Sequence, residues 1–245
     1  MSFPLSPPPV PGLVRRLAAG RPVRAVWRNE LGDVTFRVGG SSRPAAEFIK
    51  VGGVHSPDFT GEAHRLRWAA PYLKVPPVID YGVDDDGAWL RTVGLPGVSA
   101  VHPRWQAAPA TAVTAIAVGL RTMHDTLPVV SCPFDWSVAS RLPVLLPAHR
   151  AHLGDPPPID QLVVCHGDAC APNTLIDDVG RYCGHVDLGE LGVADRWADL
   201  AVATLSLGWN YPGRNWEPDF FAAYGVDPDP LRIDYYRRLW EDPDL

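Results

Sequence analysis

Three residues have types and spacing suited to one kind of chemistry: Asp168, Asn173 and Asp187. Asp168 follows the apolar run Leu162–Cys165, Asn173 comes five positions later, and Asp187 stands beyond a short hairpin signal. One carboxylate can accept a proton, and an amide and a second carboxylate are hard oxygen ligands of the sort Mg²⁺ prefers. Transfer of a terminal phosphoryl group needs such a set. A carboxylate orients the attacking hydroxyl, oxygen ligands hold the metal, and a cation sits near the other phosphates.

The order His166-x-Asp168-x-x-x-x-Asn173 and then Asp187-Leu188-Gly189 has the spacing of the H-R-D-x-x-x-x-N and D-F-G motifs of protein kinases. Thr174–Ile176 and Tyr182–Leu188 flank the turn Asp177-Asp178-Val179-Gly180, so a hairpin is expected to set Asn173 beside Asp187. His166 is expected to support this loop, and Asp195, Arg196 and Asp199 to fix the loop and helix start behind it, with Asp195 as a natural N-cap.

Upstream, strands are expected within 23–51, with Asp33–Val38 and Glu47–Val51 clearest, then over Val75–Tyr81 and Ala88–Val93. Phe59, Ala63, Leu66 and Ala70 mark the one helix among them. Downstream, helices are expected near 107–124, 195–208, 216–224 and 229–240, with only short helix in the proline-rich stretch 141–160. The fold class is therefore α+β, with a β-rich first part and a mostly helical second part.

Composition removes other classes. The 245 residues are 46% hydrophobic with a formal net charge of -6, and the only lysines are Lys50 and Lys74. No basic run suggests nucleic acid, and no apolar stretch is long enough to span a membrane. Cys132, Cys165, Cys170 and Cys183 have no CxxC spacing, so reduced thiols in a cytoplasmic, soluble protein are expected. The proline-rich start, residues 1–12, reads as a loosely packed arm rather than a signal peptide.

The segments VCHGDACAPN (164–173), GHVDLGELGVADRWAD (184–199), CPFD (132–135) and RIDYYRRL (232–239) resemble the aminoglycoside phosphotransferase family, most closely its 3′-phosphotransferase branch. FIK (48–50), GEAHRLRWA (61–69) and WLRTVGLPG (89–97) match more weakly, so the likeness runs from about residue 25 to the C-terminus. The resemblance implies a two-lobed, protein-kinase-like fold, with a nucleotide-binding lobe over 13–93 and a catalytic and substrate-binding lobe over 94–245. It implies ATP or GTP and Mg²⁺ as cofactors, with Asp168 as catalytic base and Asn173 and Asp187 as metal ligands. Lys50 would meet the nucleotide phosphates, paired with Glu62. Val93, Gly94 and Leu95 would present backbone groups to the nucleotide base. The partner implied is a small hydroxyl substrate of cationic character, met by Glu190, Glu241 and Asp242. A monomer or homodimer is expected.

The chain departs from the family pattern in three places. The segment 136–162 is shorter than usual and proline-rich, Glu190 stands where close relatives carry Arg, and Asn29–Asp33 is a weak phosphate loop. A housekeeping kinase for another small sugar or amino alcohol is thus an alternative acceptor reading. A pseudokinase-like nucleotide-binding module, or a metal-dependent hydrolase using Asp168, His185 and Asp187, are alternatives of other classes.

Overall fold

A computed structural model describes residues 8–29, 32–40, 46–53, 59–85 and 87–240. The chain divides into two compact units, Met1–Pro96 and Gly97–Leu245.

The first unit holds a five-stranded antiparallel sheet, β1 (Val23–Arg28), β2 (Val34–Val38), β3 (Glu47–Gly52), β4 (Val78–Asp84) and β5 (Gly87–Val93). Their spatial order is β1-β2-β3-β5-β4. Alternation explains the layering. Phe36, Val38 and Ile49 point to one side and pack on Val14 and Ala18 of helix α1 (Gly12–Ala18). Thr35 and Lys50, cross-strand neighbours on β2 and β3, point to the other side. Helix α2 (Thr60–Ala69) buries Glu62, Ala63, Leu66 and Ala69. Strand β4 starts three residues later than expected, because Pro76 and Pro77 cannot donate to a ladder. Glu47 is held below the ordinary carboxylate range by hydrogen bonds from Arg21 and Arg91, which outweigh its burial.

The second unit begins with β6 (Val98–Ser99), the short α3 (Pro103–Gln106) and the long α4 (Pro109–Thr126). Pro109 opens α4 where its missing N–H costs nothing, and Pro128 follows its end. The segment 136–162 contains α5 (Val138–Arg141), a 3-10 turn and α6 (Pro147–Leu153), short pieces as its prolines require. Strand β7 (Leu162–Cys165) pairs antiparallel with β10 (Gly192–Asp195), and β8 (Thr174–Ile176) lies between β6 and β9 (Tyr182–His185). Helices α7 (Trp197–Asn210), α8 (Glu217–Tyr224) and α9 (Pro230–Trp240) complete the unit. Helix α7 is apolar almost all round and is correspondingly buried from Trp197 to Thr204.

Two boundaries differ from the sequence expectation for a physical reason. Strand β9 stops at His185 because Asp187 takes a left-handed backbone, φ 61°, which no strand accommodates. Helix α1 occupies the end of the expected arm, beginning right after Pro11. Residues 1–7 of that arm lie outside the described residues, as do Glu241 and Asp242.

Candidate active site

Strand β7 delivers His166, Gly167 and Asp168 to its C-terminal end, and the chain reaches β8 through a single 3-10 turn, Ala171–Asn173. This loop is held from behind by Asp199 on α7. Its Oδ2 accepts the His166 backbone N–H at 2.6 Å, and its Oδ1 accepts that of Gly167 at 2.9 Å. His124 of α4 binds Asp199 Oδ2 at 3.0 Å and places its other ring nitrogen 2.8 Å from the Tyr224 hydroxyl of α8. Burial pushes the Asp199 carboxyl up, but these hydrogen bonds outweigh it and hold the group below its ordinary value. Ser206, further along α7, accepts the Ala171 N–H at 2.8 Å.

The His166 ring is fully engaged. Nε2 donates to Val186 O at 3.0 Å, and Nδ1 accepts the Asp168 N–H at 3.3 Å. With both nitrogens committed, His166 acts as a support. His185 packs edge-on against it, and burial drives its pKa down to about 3, so it stays neutral.

Asn173 Nδ2 donates to the Asp168 carbonyl at 2.9 Å and to its Oδ2 at 3.0 Å. Because the amide nitrogen makes both bonds, Asn173 Oδ1 is left as an acceptor. The backbone N–H of Val186 donates to Asn173 O at 3.0 Å, and this ladder contact sets Asp187 beside Asn173. Asp168 Oδ1 is shut off from solvent and has no hydrogen-bond partner. Burial raises the Asp168 carboxyl above its usual range and the nearby Asp187 charge adds to this, against the lowering effect of the Cys170 thiol, His166 and Asn173. A free amide oxygen on Asn173 and the Asp187 carboxylate are hard donors of the kind that fit a divalent cation such as Mg²⁺.

In the first unit, Lys50 Nζ lies 2.9 Å from Glu62 Oε2, joining β3 to α2. The N–H groups of Val93 and Gly94 are already bonded to Pro77 O and Ala46 O. Leu95 is the residue of the three whose N–H makes no hydrogen bond among the described residues. Glu190 is 54% exposed and pairs with Arg141 of α5 at 2.8 Å. The Arg141 guanidinium also lies over the Trp136 ring. Glu241 and Asp242 lie outside the described residues.

The N-cap of α7 is Arg196 rather than the expected Asp195, because Asp195 is the last residue of β10; from there its carboxylate accepts the Trp197 and Asp160 N–H groups, while Arg196 pairs with Asp160. His124, Cys165 and Asp199 are the one cluster of three His, Cys, Asp or Glu side chains among the described residues whose ligand atoms lie close enough to share a metal. It does not suit a metal: both His124 nitrogens are committed, and burial keeps the Cys165 thiol protonated. His124, Tyr224, Ser206 and Arg141 carry no sequence signal, since each meets the site through contacts far apart along the chain.

A β-sheet unit with a strand-to-helix Lys–Glu pair, joined to a helical unit with this loop and hairpin, defines the class of kinase-like phosphotransferases. The phosphotransferase enzyme family matches residues 33–236, and the chain belongs to that family. An aminoglycoside 3′-phosphotransferase of Streptomyces fradiae is 35% identical, with 89% of this chain and 93% of that protein covered. The crystal structure of an aminoglycoside 3′-phosphotransferase of type VIII superposes with a TM-score of 0.76 at 30% identity, over 92% of this chain and 96% of that one. The aminoglycoside phosphotransferase APH(3'')-Id of Streptomyces rimosus, in complex with ADP and streptomycin, gives a TM-score of 0.70 at 26% identity, over 93% and 95%. The expected α+β, kinase-like fold is thus found. No helix among the described residues is long and apolar enough to cross a membrane.

Proposed function

We propose that the chain transfers the terminal phosphoryl group of ATP, with GTP as the alternative donor, to a hydroxyl of an aminoglycoside or an aminoglycoside-like molecule. The observation that carries this reading is the meeting of Asp168, Asn173 and Asp187 on one braced loop and hairpin. Asp168 is the base: its carboxylate accepts the hydrogen bond of the attacking hydroxyl and takes the proton as the bond to phosphorus forms and the bond to the leaving nucleoside diphosphate breaks. Asn173 Oδ1 and the Asp187 carboxylate would hold Mg²⁺, which when bound supplies charge neutralisation on the phosphates. Lys50, steadied by Glu62, would meet the nucleotide phosphates, and Val93, Gly94 and Leu95 would present backbone groups to the nucleotide base. Glu190, Glu241 and Asp242 meet acceptor ammonium groups. The place of action is the cytoplasm, where the triphosphate is found and where four unpaired cysteines stay reduced.

One observation favours a second reading. The Glu190 carboxylate is already paired with Arg141, which suits a smaller or less cationic sugar or amino alcohol.

The test offers kanamycin, streptomycin, glucosamine and choline to the purified enzyme with each triphosphate, scoring nucleoside diphosphate release. Release that depends on an aminoglycoside is expected. Release with only the simple acceptors would move the assignment to the second reading. Asp168→Ala is expected to lose at least ~10²-fold in kcat with nucleotide binding kept, and near-normal kcat would remove Asp168 as base.

A further inference from the structure

We propose that Arg141 is a specificity-determining residue: its guanidinium occupies the Glu190 carboxylate at the edge of the catalytic loop and competes there with the ammonium groups of an acceptor. This rests on the phosphotransferase reading above and names what sets its preference for cationic acceptors.

Glu190 sits against the loop that carries the base. A Cβ on Gly167, the residue before Asp168, would stand 2.2 Å from Glu190 O and 2.8 Å from Glu190 Cβ. Glu190 belongs to the turn that follows Asp187, closed by the Leu191 N–H on Leu188 O at 3.2 Å. Leu188 and Leu191 are fully buried, whereas the Glu190 side chain is half exposed, so this turn presents its carboxylate outward.

Arg141 reaches the same place from a fixed base. The Trp136 N–H donates to Val193 O at 3.0 Å and the Val193 N–H to Phe134 O at 2.9 Å, which ties the start of this segment to β10. Ser137 Oγ then accepts the Ser140 N–H and caps α5, whose last residue is Arg141. The guanidinium lies 4.9 Å from the centroid of the buried Trp136 ring. A guanidinium stacked on an aromatic face is held in place before any other partner arrives.

The pair itself is of a replaceable kind. It is a single contact, Nη1 to Oε2 at 2.8 Å, rather than a two-point fork. Glu190 Oε1 has no hydrogen-bond partner among the described residues, and Arg141 Nε is enclosed without one. Both side chains are partly open to water, where an ion pair is weak and a second cation can exchange for it. The ammonium group of an amino sugar is a compact cation with three donors. It can take Oε1 beside Arg141 or Oε2 in its place, and in either position the Arg141 charge opposes it. A neutral polyol is indifferent to the pair.

The experiment measures steady-state kinetics of the full chain with Mg-ATP and either kanamycin or streptomycin. It compares wild type, Arg141→Met, Arg141→Lys, Glu190→Gln and the double variant Arg141→Met with Glu190→Gln. Methionine keeps an apolar stem on Trp136 without the charge. For the acceptor that the wild type turns over, Arg141→Met is expected to lower KM about threefold, the scale of an exposed ion pair. Arg141→Lys should stay near wild type. Glu190→Gln should raise the acceptor KM, because the Arg141 charge is then unopposed, and adding Arg141→Met to it should give no threefold gain beyond relief of that charge. An acceptor KM that does not fall in Arg141→Met, one that does not rise in Glu190→Gln, or an equal fall in the KM for Mg-ATP overturns the role of Arg141 and leaves the phosphotransferase reading intact. A wild type that turns over neither acceptor overturns the acceptor reading and this role with it.

Discussion

The two carboxylate oxygens of Asp168 have unlike surroundings. Oδ2 is held by Asn173, while Oδ1 is enclosed without a partner. The neighbouring Gly167 makes the geometry possible. Its φ is 82°, and a Cβ there would stand 2.2 Å from Glu190 O. Gly167→Ala therefore meets both backbone strain and a backbone clash. The expected outcome is a loss of about 2 kcal/mol or more in urea unfolding, with a fall in kcat, by the usual cost of such strain. An unfolding midpoint equal to wild type would show that the loop yields without effect.

Among the elements, α4, α7 and α8 cooperate to hold the loop. His124, Asp199 and Tyr224 form a buried chain that ends on the backbone of His166 and Gly167. The folded-state pKa of Asp199 lies below its ordinary value. As pH falls, the unfolded chain binds the proton first. The stabilisation is complete above the ordinary value, about 3.9, and is lost as pH falls through the folded value. Asp199→Asn is expected to cost about 2–4 kcal/mol at pH 7, because it breaks a buried charged hydrogen-bond set. It should also flatten the fall in stability below about pH 4. Urea titrations between pH 7 and 3 read both effects. An identical acid limb in the two proteins would show that Asp199 does not carry the linkage.

At the scale of the whole molecule, ligand binding and folding are linked. A ligand that binds only the native state at a hundred times its Kd adds about 2.7 kcal/mol, a rise of roughly 5–10 °C in Tm for a chain of this size. Mg-ATP is expected to raise the thermal midpoint by such an amount, EDTA to remove the metal-dependent share, and Asp187→Ala to be indifferent to Mg²⁺. A midpoint that does not move in the wild type would argue for a protein that does not bind the nucleotide.

The sequence by itself determined the kind of chemistry and most of the elements. The loop and hairpin are local, so Asp168, Asn173 and Asp187 could be placed together from spacing and turn residues alone. The strand Leu162–Cys165 and the helices around 109–126 and 197–210 were likewise written in runs of apolar residues and proline stops. Strand β10 was not, because its pairing with β7 depends on Gly192 fitting against the Asp135–Trp136 backbone, a contact no local pattern announces. Only the tertiary structure decided which oxygens are left unpaired, that Glu190 meets Arg141, and that His124, Asp199 and Tyr224 join across 75 and 100 positions. It alone brought Trp209 to Trp240. Side-chain types and short-range periodicity are carried by neighbours along the chain. Satisfaction and exposure are set by whichever distant groups the packing delivers.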